Sequence, residues 1–209
     1  MNLLIFGATG MVGKELIKQA LHNGHHVKAY GRNVFTEDLP KDDQLELIQG
    51  ALFDDRQVYK ALKNCDTVLS VIGGGINDTD VTRSLGMKNI VAQMEKAGVK
   101  RIVALGSMGS LNADEDTIIM ETPEFPGEFY HVSKEHFKAY EFLKASKLDW
   151  TVVCAPDIVE AVPTGDFITK ADYLPEPNKN YINSGDLALF MLSETEKREY
   201  SMQRVGISN

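Results

Sequence analysis

Only two cysteines, Cys65 and Cys154, occur in 209 residues. Two distant thiols build no disulfide framework and have no metal-ligand spacing, so no metal site is expected. Each falls in or beside a run that reads as a strand, which makes a buried, inert thiol the expected role. No uninterrupted apolar run approaches the ~18 residues of a membrane span. The first residues carry no basic segment and no cleavage site, so a secretory signal is not expected and a reducing cytoplasm is the expected compartment. Basic clusters are missing as well. Lys and Arg total 22 against 30 Asp and Glu, a net charge of −8. An acidic surface repels a phosphate backbone, so nucleic acid is not an expected partner. Low-complexity segments, internal repeats and linkers are absent too. Length and an apolar fraction of 43% suit one soluble globular unit over 1–209.

What is present is a rhythm. Short apolar runs alternate with helix-period segments. NLLIFG, HHVKAYGR, LELIQG, TVLSVIGG, RIVALGS and DWTVVCAP read as six strands. Between them, residues 11–24, 54–65, 80–99 and 133–146 read as helices. Asp54 and Gln57 stand in capping-box spacing, and Gly24 and Gly98 suit helix ends. DLALFMLS reads as a further short helix and SMQRVGIS as a last strand. The alternation argues for an α/β fold with a doubly wound parallel sheet and helices on both faces. Residues 108–129 and 156–183 break the rhythm as irregular stretches. Both follow strand carboxyl ends, where open α/β sheets bind ligands, so they are expected to be substrate-site loops.

IFGATGMVG, residues 5–13, raises the functional question. Gly7, Gly10 and Gly13 leave a strand and open an amphipathic helix. In that context the first glycine permits the turn, the second admits a pyrophosphate and the third allows close helix–strand packing. Thr9, Met11 and Val12 fall within the same cradle. After the second strand a carboxylate would mark NAD, but the chain reads YGRN with no acid before Glu37. Arg32 matches a 2′-phosphate and Asn33 can add a hydrogen bond, so NADP is favoured over NAD. The run SVIGGG brings Ile72, Gly73 and Gly74 to the end of the fourth strand, where bare backbone can lie against adenine or ribose.

These residues resemble a known family. GATGMVG, GMKNIVAQMEKAGVKRIVALGS and LKASKLDWTVVCAPDI together resemble the atypical short-chain dehydrogenase/reductases. The chain looks most similar to their NAD(P)H-binding flavin reductase and biliverdin-IXβ reductase branch, which PTGDFI and INSGDLALFML also fit. The resemblance covers nearly the whole chain. It implies a Rossmann fold, a nicotinamide cofactor and hydride transfer to a planar acceptor such as flavin or quinone. Three departures stand out. The third strand ends Gly50-Ala51 where relatives often place an aspartate, so any adenine contact falls to Leu52 and backbone. The sixth strand ends Ala155-Pro156 where many relatives have Arg-Pro. And the chain carries Tyr130 and Lys134, a Tyr-x-x-x-Lys pair that this branch does not require.

With Ser107 at the end of the fifth strand, Tyr130 and Lys134 would form the catalytic triad of a carbonyl reductase or epimerase. In that chemistry the lysine lowers the phenol pKa and the phenol moves a proton. Asp157, Met108 and Phe167 are candidate substrate residues, and Phe125 and Phe129 are candidates for ring stacking or loop packing. His25 and His26 are expected at the surface and Trp150 in the core; His131 and His136 are expected on the outer face of a helix, with one of them facing the pocket as the alternative. A third possibility is a non-catalytic regulator resembling the NmrA proteins, which would bind dinucleotide and a protein partner. Oligomeric state is left open.

Overall fold

The computed structural model describes residues 1–209. Strands β1 (Asn2–Phe6), β2 (His26–Gly31), β3 (Leu45–Gln49), β4 (Thr67–Ser70), β5 (Arg101–Ser107) and β6 (Asp149–Ala155) lie where the apolar runs place them. Helices α1 (Met11–His22), α2 (Asp55–Ala61), α3 (Thr82–Ala97) and α4 (Tyr130–Lys144) connect them. The remaining elements are β7 (Asp157–Val159), β8 (Ile168–Ala171), β9 (Tyr181–Asn183), α5 (Ser184–Lys197) and β10 (Gln203–Ser208).

The main sheet runs β3-β2-β1-β4-β5-β6-β10-β8. All neighbours pair in parallel except β8, which runs antiparallel to β10 at the edge. This is the doubly wound Rossmann arrangement, with its reversal of strand order between β1 and β4. Each face of the sheet carries a core. Leu3, Ile5, Leu16, Ile17 and Met191 bury one face under α1 and α5. Leu4, Phe6, Ile90, Met94 and Leu143 bury the other under α2, α3 and α4. Trp150 is in this second core, as expected. No helix is long and apolar enough to cross a membrane.

Helix signals were legible in detail. Asp54 caps α2 by accepting from the N–H groups of Arg56 and Gln57, each at 3.0 Å. Gln57 does not close the box. Its side chain accepts from Ala51 N–H at 2.8 Å instead, tying α2 to the loop after β3. Gly98 ends α3 at φ 75°, the left-handed conformation that favours glycine.

Three expectations change. Residues 156–183 are not irregular throughout: β7 pairs in parallel with β9, and β8 extends the main sheet. Such short strands leave too few alternating positions to show a period. The helix read from DLALFMLS spans Ser184–Lys197, because Glu194 and Thr195 are buried and continue its inner face where the sequence turns polar. The Asp186 carboxylate accepts from the N–H groups of Thr164 and Gly165, each at 2.7 Å, and from Asn209 Nδ2 at 2.8 Å. His25, expected at the surface, is buried with Nδ1 3.3 Å from the Met1 amine. Burial, followed by that amine, lowers its pKa.

Candidate functional site

The carboxyl ends of β1 and β4 open into a cleft of about 520 Å³. Its floor depends on two glycines. Gly7 sits at φ +81°, and a Cβ there would stand 2.3 Å from the Val71 carbonyl oxygen. A Cβ on Gly13 would stand 2.3 Å from the Gly7 carbonyl oxygen. Gly10, by contrast, has open space: its nearest neighbour would be 3.5 Å away. Gly10 is also the N-cap of α1 and brings no side chain to satisfy the helix end. The first intrahelical bond runs from Lys14 N to Gly10 O at 2.9 Å, so the N–H groups of Met11, Val12 and Gly13 remain free for an anion. This cradle fits a dinucleotide pyrophosphate.

Of the residues expected to bind the cofactor, Gly7, Thr9, Gly10, Met11, Val12 and Gly13 line the cleft, as do Arg32, Leu52, Ile72 and Gly73. Arg32 is exposed and forms no ion pair, while Glu37, the nearest following acid, is held by Lys14 at 2.8 Å. Two expected residues do not line it. The Asn33 carbonyl accepts from the Thr36 N–H and hydroxyl in a local turn, each at 3.0 Å. Gly74 turns towards Arg83, whose guanidinium donates to the Gly74 carbonyl at 3.1 Å and the Gly75 carbonyl at 2.9 Å.

Sequence reasoning missed Tyr30, Gly31, Gly50 and Phe53, which also line the cleft. Tyr30 donates its phenol to the Ala51 carbonyl at 2.9 Å, in a space that a side chain at Gly50 would fill. Burial, reinforced by Asp54, raises its pKa to about 12. Thus a buried phenol lies against the bare backbone where relatives often carry an aspartate.

A second pocket, about 380 Å³, adjoins the first. Leu105 and Ile158 border both, so the two form one continuous site. Ser107, Met108 and Asp157 line the second pocket, as expected. Phe125 and Phe129 add aromatic walls.

The rest of the expected triad is elsewhere. Tyr130 is 41% exposed, forms no hydrogen bond to Ser107 and lines neither pocket. Lys134 Nζ sits 5.8 Å from the Tyr130 ring centroid on the same outward face. The reason is helical azimuth. Phe129, Val132, Ser133 and His136 recur at helical spacing on the face turned to β5, about a hundred degrees from Tyr130 and Lys134. Ser107 Oγ therefore meets Ser133 Oγ, at 2.8 Å, and also accepts from Gly109 N–H at 3.2 Å.

His136, expected on the outer helix face, lines the pocket instead. Burial, with the Arg83 guanidinium second, lowers its pKa to about 3, while a hydrogen bond to the Leu105 backbone and Glu135 pull the other way. It is therefore a neutral imidazole at ordinary pH, able to donate or accept one hydrogen bond but not to present a positive charge. His131 contacts the Asp80 carbonyl at 3.1 Å, joining the start of α4 to the loop after β4.

Phe167 is corrected too. It packs 5.9 Å from the Phe190 ring, centroid to centroid, against the α1/α5 core, and contributes to neither pocket. Both thiols stand apart from the site, and burial pushes each up to about 12.

Residues 7–198 match the model of a family described as NAD(P)H-binding. The chain belongs to the NAD(P)H-binding family. This NAD(P)H-binding chain is 25% identical over 214 residues to the uncharacterized protein YwnB of Bacillus subtilis, covering 99% of this chain and 98% of that one. A Streptococcus pneumoniae structure, provisionally described as an NADH-flavin reductase, superposes with TM-score 0.83 at 25% identity, covering 100% of this chain and 99% of the other. A Burkholderia pseudomallei structure, provisionally described as an exported protein, superposes with TM-score 0.87 at 28% identity over the full length of both. The likeness to the atypical short-chain dehydrogenase/reductases thus holds as an NAD(P)H-binding family in sequence and as a Rossmann arrangement in fold.

Proposed function

We propose that this protein is an NADPH-dependent reductase that passes hydride to a flat acceptor, such as a flavin or a quinone. One observation carries the reading: the dinucleotide cleft runs without a break into a second, largely apolar pocket across Leu105 and Ile158. Pockets of this size, at the small end of the usual ~300–1,000 Å³, suit a small planar ligand.

The glycine cradle and the free N–H groups of α1 hold the pyrophosphate, and Arg32 holds the 2′-phosphate. The bound nicotinamide supplies hydride. The chain itself binds, orients and excludes water. Leu105 and Ile158 form the apolar junction, and Phe125 and Phe129 enclose the acceptor ring. Ser107 and Ser133 offer hydrogen bonds at the acceptor edge, and neutral His136 adds one more. Catalysis by positioning needs no metal and no covalent intermediate. The carbonyl-reductase reading loses its main support, because Tyr130 lines neither pocket and forms no hydrogen bond to Ser107. The likeness to a protein described as an NADH-flavin reductase supports the hydride-acceptor reading.

The test is nicotinamide oxidation by the purified protein, with NADPH and NADH compared against a flavin, a quinone and an aldehyde. Reduction of the flat acceptors with NADPH preferred is the expected result. Reduction of the aldehyde alone would overturn the reading, and so would cofactor binding without turnover of any acceptor.

A further inference from the structure

We infer that the acceptor pocket selects uncharged rings and turns away acceptors that carry phosphate or carboxylate. The inference rests on the reductase reading and narrows its substrate to a quinone or a phosphate-free isoalloxazine.

The observation is the charge around the pocket. No lysine or arginine lines it. Its one charged wall residue is Asp157, exposed at the start of β7 and held by no hydrogen bond or ion pair. Phe125, Pro126 and Phe129 come from the 108–129 loop. That loop carries Asp114, Glu115, Asp116, Glu121, Glu124 and Glu128 and not a single lysine or arginine. Glu124 and Glu128, each next to a lining phenylalanine, are exposed. The nearby cations do not compensate. Lys134 sits on the outer face of α4, and exposed Lys179, next to lining Asn180, is a single cation against Asp157 and the flanking Glu124 and Glu128. Arg83, behind His136, spends its guanidinium on the Gly74 and Gly75 carbonyls. His136 adds no charge. An anionic tail at the mouth would thus meet a net negative surround with no cation in the wall, whereas an uncharged ring would meet Met108, Phe125, Phe129, Val132 and neutral hydrogen-bonding groups.

The redox balance is simple. One quinone, one reduced nicotinamide and one proton give one hydroquinone and one oxidised nicotinamide. The acceptor gains two electrons and one hydrogen as hydride, and the second hydrogen comes from water.

Riboflavin and FMN supply the probe, since they share the ring and differ by the 5′-phosphate. The expected kcat/KM is about tenfold or more higher for riboflavin, the order of one unpaired charge near Asp157 at an effective dielectric between protein and water. Asp157→Lys and Glu128→Lys should each narrow that ratio, and so should added salt, which screens exposed charges. FMN reduced as efficiently as riboflavin, or a ratio indifferent to salt and to both substitutions, would overturn the inference. A binding titration separates it from the reductase reading. Flavin fluorescence is followed as protein is added without nicotinamide. Riboflavin bound and FMN not bound, with neither reduced, would overturn the reductase reading and support the charge selection. Equal binding of the two would overturn the selection, as would failure of riboflavin to bind together with failure of an uncharged naphthoquinone to be reduced.

Discussion

The Ser107 and Ser133 hydroxyls lie 2.8 Å apart, joining the carboxyl end of β5 to the inward face of α4. Gly109 permits this, since a Cβ there would stand 2.6 Å from Ser133 Oγ. The pair lies in the wall of the second pocket, the proposed acceptor site. Ser107→Ala should lower kcat/KM for the acceptor about tenfold, the order of one hydrogen bond lost in the transition state. Tyr130→Phe, on the exposed face, should leave it within about twofold. Steady-state kinetics with one flat acceptor checks both. A collapse in Tyr130→Phe would restore the serine–tyrosine–lysine mechanism.

The three motif glycines should separate by substitution. Gly13→Ala drives a methyl into the Gly7 carbonyl and should cost stability by about 2 kcal/mol or more, because backbone cannot yield cheaply there. Gly10→Ala meets nothing closer than 3.5 Å and should stay folded with a cost of about 1 kcal/mol or less. Its methyl enters the space a pyrophosphate would occupy, so NADPH affinity should fall. Thermal denaturation beside NADPH titration distinguishes the two effects.

Arg32 is exposed at the cleft without a carboxylate partner. Arg32→Ala should raise KM for NADPH about tenfold or more, the order of a charge-assisted hydrogen bond to phosphate. KM for NADH should hardly change. Equal effects on both cofactors would remove the 2′-phosphate from this residue's role.

His136 makes stability depend on pH. Its folded value of about 3 lies below the ordinary 6.5, so the unfolded chain takes up the proton first. Stability is full above about pH 6.5 and is lost as pH falls from there towards 3. His25, also lowered by burial, acts with the same sign. The readout is therefore the difference between wild type and His136→Gln in denaturant unfolding at several pH values. The variant should show the shallower decline between pH 6 and 5, above the ordinary values of 4.5 and 3.8 from which the lowered carboxylates Glu135, Asp80 and Asp186 add their own loss of stability. Parallel curves would mean that the imidazole is not buried as described.

The cofactor half of the site was legible because its signals are local. Gly7, Gly10 and Gly13 need only a preceding strand and a following helix to become a cradle, and Arg32 needs only the end of β2. Gly31, Gly50 and Phe53 were not legible, since nothing near them in sequence says that β2 and β3 will pair with Gly31 opposite Gln49. Phe167 misled for the opposite reason: an aromatic in a loop reads the same whether it meets a ligand or, as here, Phe190.

By itself, the sequence determined the alternation of strands and helices and the glycine turn that opens the first helix. These follow from periods and short spacings, which are properties of neighbouring residues. Tertiary structure alone decided which face of α4 looks into the acceptor pocket. Tyr130 with Lys134 and Phe129 with Ser133 have the same four-residue spacing, and spacing says only that two side chains share a face. The choice was made by Ala139, Tyr140 and Leu143, which bury one side of the helix against the sheet and so turn Ser133 and His136 inward. The lack of any cation in the pocket wall was decided the same way. It arises where β5, β6, β7, α4 and an acidic loop converge, and none of them carries that information alone.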